Sequence, residues 1–265
     1  MQNQRKYLNS KRNLISLFAG MLMIGLLVIP VTAQAGVDQW LAFGTDTKVE
    51  DPEVVLISAS SEKIEIHALM PGARLGETSI SGQTYLTLSG EGYASTSVIG
   101  APALPVLRRM IEVPLGAKVS LEQVEAKSQT ISLQGLGIQG TIAAVQPSQP
   151  KCGEPIPIVS PSAEHYGDAF YPAENLAITD DYIVRGHRIV VVEIRPVRYN
   201  AALAELEVSS EISFRLDLIG SDMTLTSSEA DRLNSAPFNS LLQPMVLNYN
   251  QGRPVAIPKI GRAHV

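Results

Sequence analysis

Short runs of strand-forming residues recur along most of the chain, and they constrain its fold more than any other feature. Gly, Pro, Ser and Asp separate these runs at intervals of about 8–12 residues, a spacing typical of β-sandwiches. Alternation of apolar and polar residues within a run gives a strand one buried and one solvated face. The sequence therefore predicts an all-β fold, an antiparallel β-sandwich. The predicted strands are 54–58, 63–69, 77–80, 84–88, 118–125, 129–133, 140–145, 188–195, 203–208 and 211–218.

Residues 188–195, with the sequence RIVVVEIR, form the strongest of these strands. We expect the strands at 203–208 and 211–218 to pair with it, and we expect a turn at residues 199–202.

Helical signals are confined to the end of the chain. Ser227 is a suitable N-cap for a helix over residues 227–233, and Glu229 follows it closely. Residues 238–247 are expected to add one more helical turn.

The first 35 residues have the three parts of a cleavable secretory signal helix. Four basic residues and no acidic residue precede a nearly continuous apolar run at 14–31. Ala33 and Ala35 are the small residues that a signal peptidase requires, so we expect cleavage between Ala35 and Gly36. An uncleaved membrane anchor is the alternative, because about 18 apolar residues can just span a bilayer. Pro30 favours cleavage, and the sequence thus predicts Sec-type export to a secreted or extracytoplasmic location, with only transient membrane contact.

Removal of this leader makes the chain more acidic. The full sequence has 21 basic and 26 acidic residues, a net charge of −5, and the leader holds four of the basic residues and none of the acidic ones. The remaining chain therefore has a net charge of −9. It contains no basic run and no patch that interleaves basic and aromatic residues, so nucleic acid is not an expected partner.

The sequence contains none of the compact catalytic motifs, such as G-x-S-x-G, a P-loop or H-E-x-x-H. None of its four histidines has a second ligand at metal-binding spacing. Cys152 is the single cysteine, so an internal disulfide is excluded; the thiol is either merely tolerated or has an intermolecular role. We therefore expect no catalytic residue, no metal site and no cofactor in this chain.

The last seven residues do not resemble a natural terminus. The sequence of residues 259–265 corresponds to one reading frame of a common sequencing adapter. We therefore exclude this segment from the fold and expect the natural protein to continue beyond Pro258.

A proline-rich segment at residues 146–161 interrupts the pattern of strands. Proline removes the backbone donors of a β-ladder, so this segment is not a central strand. We expect an exposed and fairly stiff loop or edge. Lys151 is its only basic residue, and Cys152 follows directly.

Three groups of residues, in order, resemble the N-terminal propeptide of gingipain-type cysteine peptidases, peptidase family C25. The first is a G-x-P-x-L-P box within residues 99–107, which runs on to 113–117. The second joins 145–150 and 170–172 to 194–200 and 211–214. The third is Leu-Asn-Tyr-Asn at 247–250, where the catalytic domain of this family would begin. The resemblance spans about residues 50–255.

The resemblance implies a β-sandwich that folds ahead of a C25-like catalytic domain of the same precursor, assists its folding and secretion, and blocks its active site until it is cleaved off. In this family a basic side chain of a propeptide loop can occupy the specificity pocket, which makes Lys151 the candidate plug; an ordinary surface lysine is the alternative. Cys152 is then a candidate for a mixed disulfide with the catalytic thiol of the partner, whose catalytic residues lie outside this chain.

The resemblance also implies release of the propeptide after a basic residue near the Leu-Asn-Tyr-Asn box. Arg253 has the best position, although Pro254 follows it and proline after a scissile bond resists cleavage. Arg232, or a site beyond residue 258, is the alternative.

The sequence therefore divides into a signal peptide (1–35), a lead-in segment (36–50), a propeptide β-sandwich (51–253) and the start of a linker to a missing catalytic domain (254–265). A different class of function, a stand-alone secreted β-sandwich that binds or adheres, is the alternative.

Overall fold

The computed structural model describes residues 37–45 and 48–249, and in this part the expected all-β class is confirmed. The predictions for the signal peptide, for Arg253 and for the adapter-like tail lie outside the described residues. The strands are β1 (Gln39–Ala42), β2 (Glu53–Ala59), β3 (Lys63–Leu69), β4 (Gly72–Ile80), β5 (Gln83–Ser89), β6 (Ala94–Ser95), β7 (Pro105–Val113), β8 (Lys118–Ser132), β9 (Leu176–Val184), β10 (His187–Ile194), β11 (Val197–Asn200) and β12 (Glu205–Ile219), and the helices are α1 (Met223–Arg232) and α2 (Ala236–Leu242).

The strands form three sheets in the described part of the chain, and each named strand pair is antiparallel. One sheet has the order β1-β4-β5, and a second has the order β6-β7-β10-β9. The third is built around the long strand β12. One edge of β12 pairs with β8, and the other edge pairs first with β11 and then with β3, which pairs with β2.

The inner faces of all three sheets contribute to one hydrophobic core. Ile66 of β3 and Phe214 of β12 are adjacent across the ladder and are each 1% exposed. Leu75 of β4 and Val190 of β10 are completely buried in the same cluster. Truncation of such a side chain to Ala typically lowers the free energy of unfolding by about 2–5 kcal/mol. Because side chains from all three sheets pack in this one core, the core holds the sheets together.

The predicted pairing of the strongest strand was wrong. β10 pairs with β7 on one edge and with β9 on the other, and not with the strand that covers 203–218. The two strands predicted there are one continuous strand, β12, with a bulge near Ser209. All but one of the residues of β10 are buried, because both faces of the strand are covered. Covered faces explain the unbroken apolar run, which carries no information about the partner strand.

Two smaller boundaries also differ from the prediction. β11 ends at Asn200, and the chain reverses at residues 201–204, where Ala204 has a φ of 52°. Helix α1 begins earlier than predicted, because its N-cap is Asp222 and not Ser227; the side chain of Asp222 accepts a hydrogen bond from the N–H of Leu225 at 2.8 Å. An N-cap residue must have an extended backbone, as Asp222 has, and the sequence pattern does not reveal that conformation.

No helix among the described residues has the length and apolar character needed to cross a membrane.

Candidate functional site

Gly100 holds both ends of the proline-rich loop through backbone hydrogen bonds. The N–H of Gly100 donates to the carbonyl of Val145 at 3.0 Å, and the carbonyl of Gly100 accepts from the N–H of Ser162 at 2.9 Å. Gly100 has a φ of +83°, a left-handed conformation that glycine adopts without the steric cost of a Cβ. The G-x-P-x-L-P box therefore positions the two arms of the loop.

Two glutamine side chains join the arms above this base. The side chain of Gln146 donates to the carbonyl of Val159 at 2.9 Å and accepts from its N–H at 3.0 Å. Gln149 makes the same pair of bonds with the backbone of Ile156, at 3.0 and 2.9 Å. We call these four bonds the glutamine clasp. Each amide donates to the carbonyl and accepts from the N–H of one residue on the other arm, as a backbone unit does in a β-ladder, so the clasp replaces a ladder that the prolines prevent.

Residues 150–155 form the tip of the loop beyond the clasp. All six are exposed, and they include both predicted loop residues, Lys151 and Cys152. Within the described residues, neither of these two side chains has a hydrogen bond or an ion pair, and Cys152 is a free cysteine. The structure thus presents an ammonium group and a thiol next to each other on a projecting tip.

Apolar side chains are exposed around the loop. Ile156 and Ile158 on the second arm are 43% and 55% exposed, and Val98 and Ile99, beside the base, are 48% and 53% exposed. Scattered exposed apolar side chains are ordinary, but several near one projecting loop are typical of a surface that contacts another protein. The loop therefore combines two exposed charged side chains at its tip, Lys151 and Glu154, with apolar flanks.

A second set of residues anchors the C-terminal part of the described chain. The N–H of Leu247 donates to the carbonyl of Met110 at 2.9 Å. The side chain of Asn248, 2% exposed, accepts from the N–H of Glu112 at 2.7 Å and donates to its carbonyl at 2.8 Å. These bonds bind residues 247–249, the described part of the Leu-Asn-Tyr-Asn box, along the edge of β7 that faces away from β10.

His187 lies beneath this segment and is 3% exposed. Its Nδ1 is 3.0 Å from Oε1 of Glu112, and the ring of Tyr249 stacks on it with 5.6 Å between centroids. Burial lowers the pKa of His187, because the imidazolium is poorly solvated there. This buried pair is consistent with a packing role for His187 at the point where the segment docks.

The alternative release residue, Arg232, is the last residue of α1. Its side chain forms an ion pair with Glu229 of the same helix. Within the described ranges, no group of three or more His, Cys, Asp or Glu side chains is arranged to hold a metal ion.

Sequence reasoning missed the glutamine clasp and the docking role of Asn248. A signal for the clasp exists in the run QPSQP, in which both Gln146 and Gln149 directly precede a proline. A residue before proline is extended, and an amide side chain next to a missing N–H can supply the missing donor. The identity of the paired residues on the other arm is not contained in this signal.

The comparisons with known proteins agree with this architecture. Residues 45–239 match the family model Propeptide_C25. Lys-gingipain of Porphyromonas gingivalis is 28% identical over 167 residues, which cover 62% of this chain and 9% of that protein. Gingipain R2 of the same organism is 25% identical over 215 residues, 80% of this chain and 28% of that protein. The matched part of the chain thus spans less than a third of the length of either relative.

Two solved structures from Porphyromonas gingivalis share the fold. One, described as a structural insight into the zymogenic latency of gingipain K, has a TM-score of 0.59 and 23% identity and covers 69% of this chain and all of that one. The other, a complex of RgpB pro- and mature domains, has a TM-score of 0.59 and 22% identity and covers 76% of this chain and 99% of that one. With a family match that includes the anchored loop and its base, the chain belongs to the Propeptide_C25 family.

Proposed function

We propose that this chain is the inhibitory and folding-assisting propeptide of a C25-like cysteine endopeptidase precursor, and that Lys151 occupies the specificity pocket of the peptidase until release. The observation that carries this proposal is the clasped loop with an exposed Lys151 at its tip. Membership of the propeptide family supports the partner class.

The geometry of the loop suits a plug. A flexible loop would lose conformational freedom on entering a cleft, whereas an arm stiffened by prolines and joined by a clasp has already lost much of it. The partner is the catalytic domain of the same precursor, so binding is intramolecular and benefits from a high effective concentration. The apolar flanks would lie against the rim of that cleft.

Release follows at Arg253 in this proposal. The bonds of Asn248 and the stacking of Tyr249 hold the chain against the sheet, and Arg253 follows Tyr249 by four residues, close to this anchored segment. Arg232 is a poorer site, because it is helical and paired with Glu229, and peptidases bind extended substrates. Because Pro254 follows Arg253 and proline after a scissile bond resists cleavage, a site beyond residue 258 is the alternative.

Export belongs to the same proposal. The basic start, the apolar run and the pair Ala33 and Ala35 support cleavage before Gly36 and a secreted or extracytoplasmic location. The domain limits that follow are 1–35, 36–50, 51–253 and 254–265.

The test is inhibition of a gingipain-type peptidase in trans. The purified chain, starting at Gly36, is titrated against mature Lys-gingipain, and the inhibition constant is compared for the parent and for Lys151→Ala. We expect Lys151→Ala to weaken inhibition by about 30-fold or more, the loss of a hot-spot residue worth about 2 kcal/mol. Lys118→Ala is the matched control, because Lys118 is also exposed but lies at the start of β8, outside the loop; this variant should inhibit like the parent. Equal inhibition by Lys151→Ala and the parent would contradict the plug assignment.

A further inference from the structure

The glutamine clasp encloses the peptide bond that a bound Lys151 would present to the catalytic thiol. Lys151 follows Gln149 by two residues, and the bond from Lys151 to Cys152 lies between the two arms that the clasp joins. A basic side chain in a specificity pocket aligns its own carbonyl with the nucleophile, so the plug has the form of a substrate.

We infer that Gln146 and Gln149 keep the Lys151–Cys152 bond from being hydrolysed, so that the loop inhibits the peptidase and is not consumed by it. This inference rests on the proposed function, because it assumes that Lys151 occupies the pocket. The two glutamines are positioning residues, since they act on the reacting bond through the backbone of the loop.

The chemistry shows what the clasp has to do. The thiolate attacks the carbonyl carbon of Lys151, the C–N bond to Cys152 breaks, and the departing nitrogen takes a proton and becomes an amine. Water normally completes the reaction by attacking the thioester, which releases the Lys151 carboxylate and returns the thiol. If the amine of Cys152 stays close, it attacks the thioester instead, gives up a proton and restores the original peptide bond and the thiol. A tethered amine has a high effective concentration, so re-formation outruns hydrolysis.

The structure provides that tether on both sides of the bond. Gln149, on the arm that enters the tip, binds Ile156 on the arm that leaves it. Gln146 repeats this link three residues further from the tip. Since Pro147, Pro150, Pro155 and Pro157 lack an N–H, a backbone ladder cannot supply these links. Among the residues that the structure describes, the remaining hydrogen bonds that hold the two arms together lie at the base beside Gly100.

The experiment compares the parent chain with the double variant Gln146→Ala/Gln149→Ala and with Gln139→Ala, an exposed glutamine outside the loop. Each chain is incubated with mature Lys-gingipain, and both the inhibition constant and the fragments are followed over time by mass spectrometry. A second arm uses the lysine-specific serine peptidase Lys-C, which reports cleavage at Lys151 whether or not the chain inhibits gingipains. Circular dichroism and thermal unfolding establish that the variants keep the fold.

We expect the double variant to be cut between Lys151 and Cys152 at least about tenfold faster than the parent in both arms, with a progressive loss of inhibition, because each clasp bond contributes modestly and the four act together. Gln139→Ala should behave like the parent. If the double variant stays intact and inhibits like the parent, the inference is overturned while the proposed function stands. If the parent does not inhibit Lys-gingipain at all, the proposed function is wrong. Equal rates of cleavage by Lys-C in all three chains would show that the clasp does not protect the bond between Lys151 and Cys152.

Discussion

Tyr93 and Tyr166 are both partly buried against the core, and they differ in whether the hydroxyl group has a hydrogen-bond partner. Burial raises the pKa of both phenols, since the phenolate would be poorly solvated. The hydroxyl of Tyr166 donates to the carbonyl of Ile142 at 2.8 Å. Among the described residues, the hydroxyl of Tyr93 is buried without a hydrogen-bond partner. The same side chain therefore carries a satisfied group at one position and a desolvated one at the other.

The substitution to Phe should have opposite effects at these two positions. Tyr93→Phe removes a buried unsatisfied group, so we expect the free energy of unfolding to rise by up to about 1 kcal/mol. Tyr166→Phe removes the hydrogen bond and leaves the carbonyl of Ile142 unpaired, so we expect a loss of about 1 kcal/mol. Urea denaturation of the three chains measures both changes. A loss of stability in Tyr93→Phe as large as that in Tyr166→Phe would show that the Tyr93 hydroxyl has a partner.

Amide side chains are used at three places in the same way. Gln146, Gln149 and Asn248 each pair with both the N–H and the carbonyl of one distant residue. The residues with which they pair could not be read from the sequence, because a side-chain amide has no periodicity that marks its partner. The exposure of Lys151 and Cys152, in contrast, followed from the prolines around them; their roles stay predictions.

At the level of elements, two hairpins have the same turn in different surroundings. Ser81 and Gly82 join β4 to β5, and Arg185 and Gly186 join β9 to β10; all four residues have positive φ. Such two-residue turns match the right-handed twist of the strands. Around Gly82 there is open space, whereas a Cβ on Gly186 would lie 2.6 Å from the backbone oxygen of Glu229 in α1.

Alanine substitutions at Gly82 and Gly186 distinguish the cost of backbone strain from the cost of contact with α1. Gly82→Ala should cost about 1–2 kcal/mol, the strain of a left-handed alanine. Gly186→Ala carries the same strain and must also displace α1, so we expect it to cost at least about 1 kcal/mol more. Thermal and urea unfolding give both values. Equal losses in the two variants would mean that α1 moves away from the turn without cost.

Two of the strands that the sequence did not predict, β7 and β9, share one property. β7 begins with a proline and contains two adjacent arginines, and β9 has a run of exposed polar residues, so neither shows clear alternation. β10 pairs with both of them: β9 is its hairpin neighbour through the turn at Arg185 and Gly186, whereas its register with β7 joins residues far apart in sequence. The predicted strand at residues 140–145 makes only single bridges, at Ile142 and Ala144, since it leads into the loop.

At the scale of the whole molecule, the C-terminal segment covers the outer face of β10. Leu242 and Val246 pack on Ile189 in a small second core. Among the described residues, His187 contacts the Glu112 carboxylate, the ring of Tyr249 and Phe238, and the guanidinium of Arg185 lies over the ring of Phe238. Docking of this segment is thus linked to the charge state of one imidazole.

Stability should therefore fall on mild acidification. The pKa of His187 is lowered in the folded chain, while in the unfolded chain it has its ordinary value of about 6.5. Below that value the unfolded state binds a proton that the folded state does not, so the free energy of unfolding decreases as the pH falls from about 6.5 towards the folded pKa. An NMR titration should give a midpoint for His187 below 6.5. A midpoint above 6.5 would reverse the sign and contradict the prediction.

The sequence by itself determined the all-β class, most strand positions and the exposed proline-rich loop. These features depend on local chemistry, namely the alternation of side chains along a strand and the N–H that proline lacks. Only the tertiary structure decided which strands flank β10, which backbone groups Gln146 and Gln149 bind, and where Asn248 docks. The pairing of β7 with β10 and the docking of Asn248 join residues far apart in the chain, where many registers satisfy the same local pattern and packing in the shared core selects one.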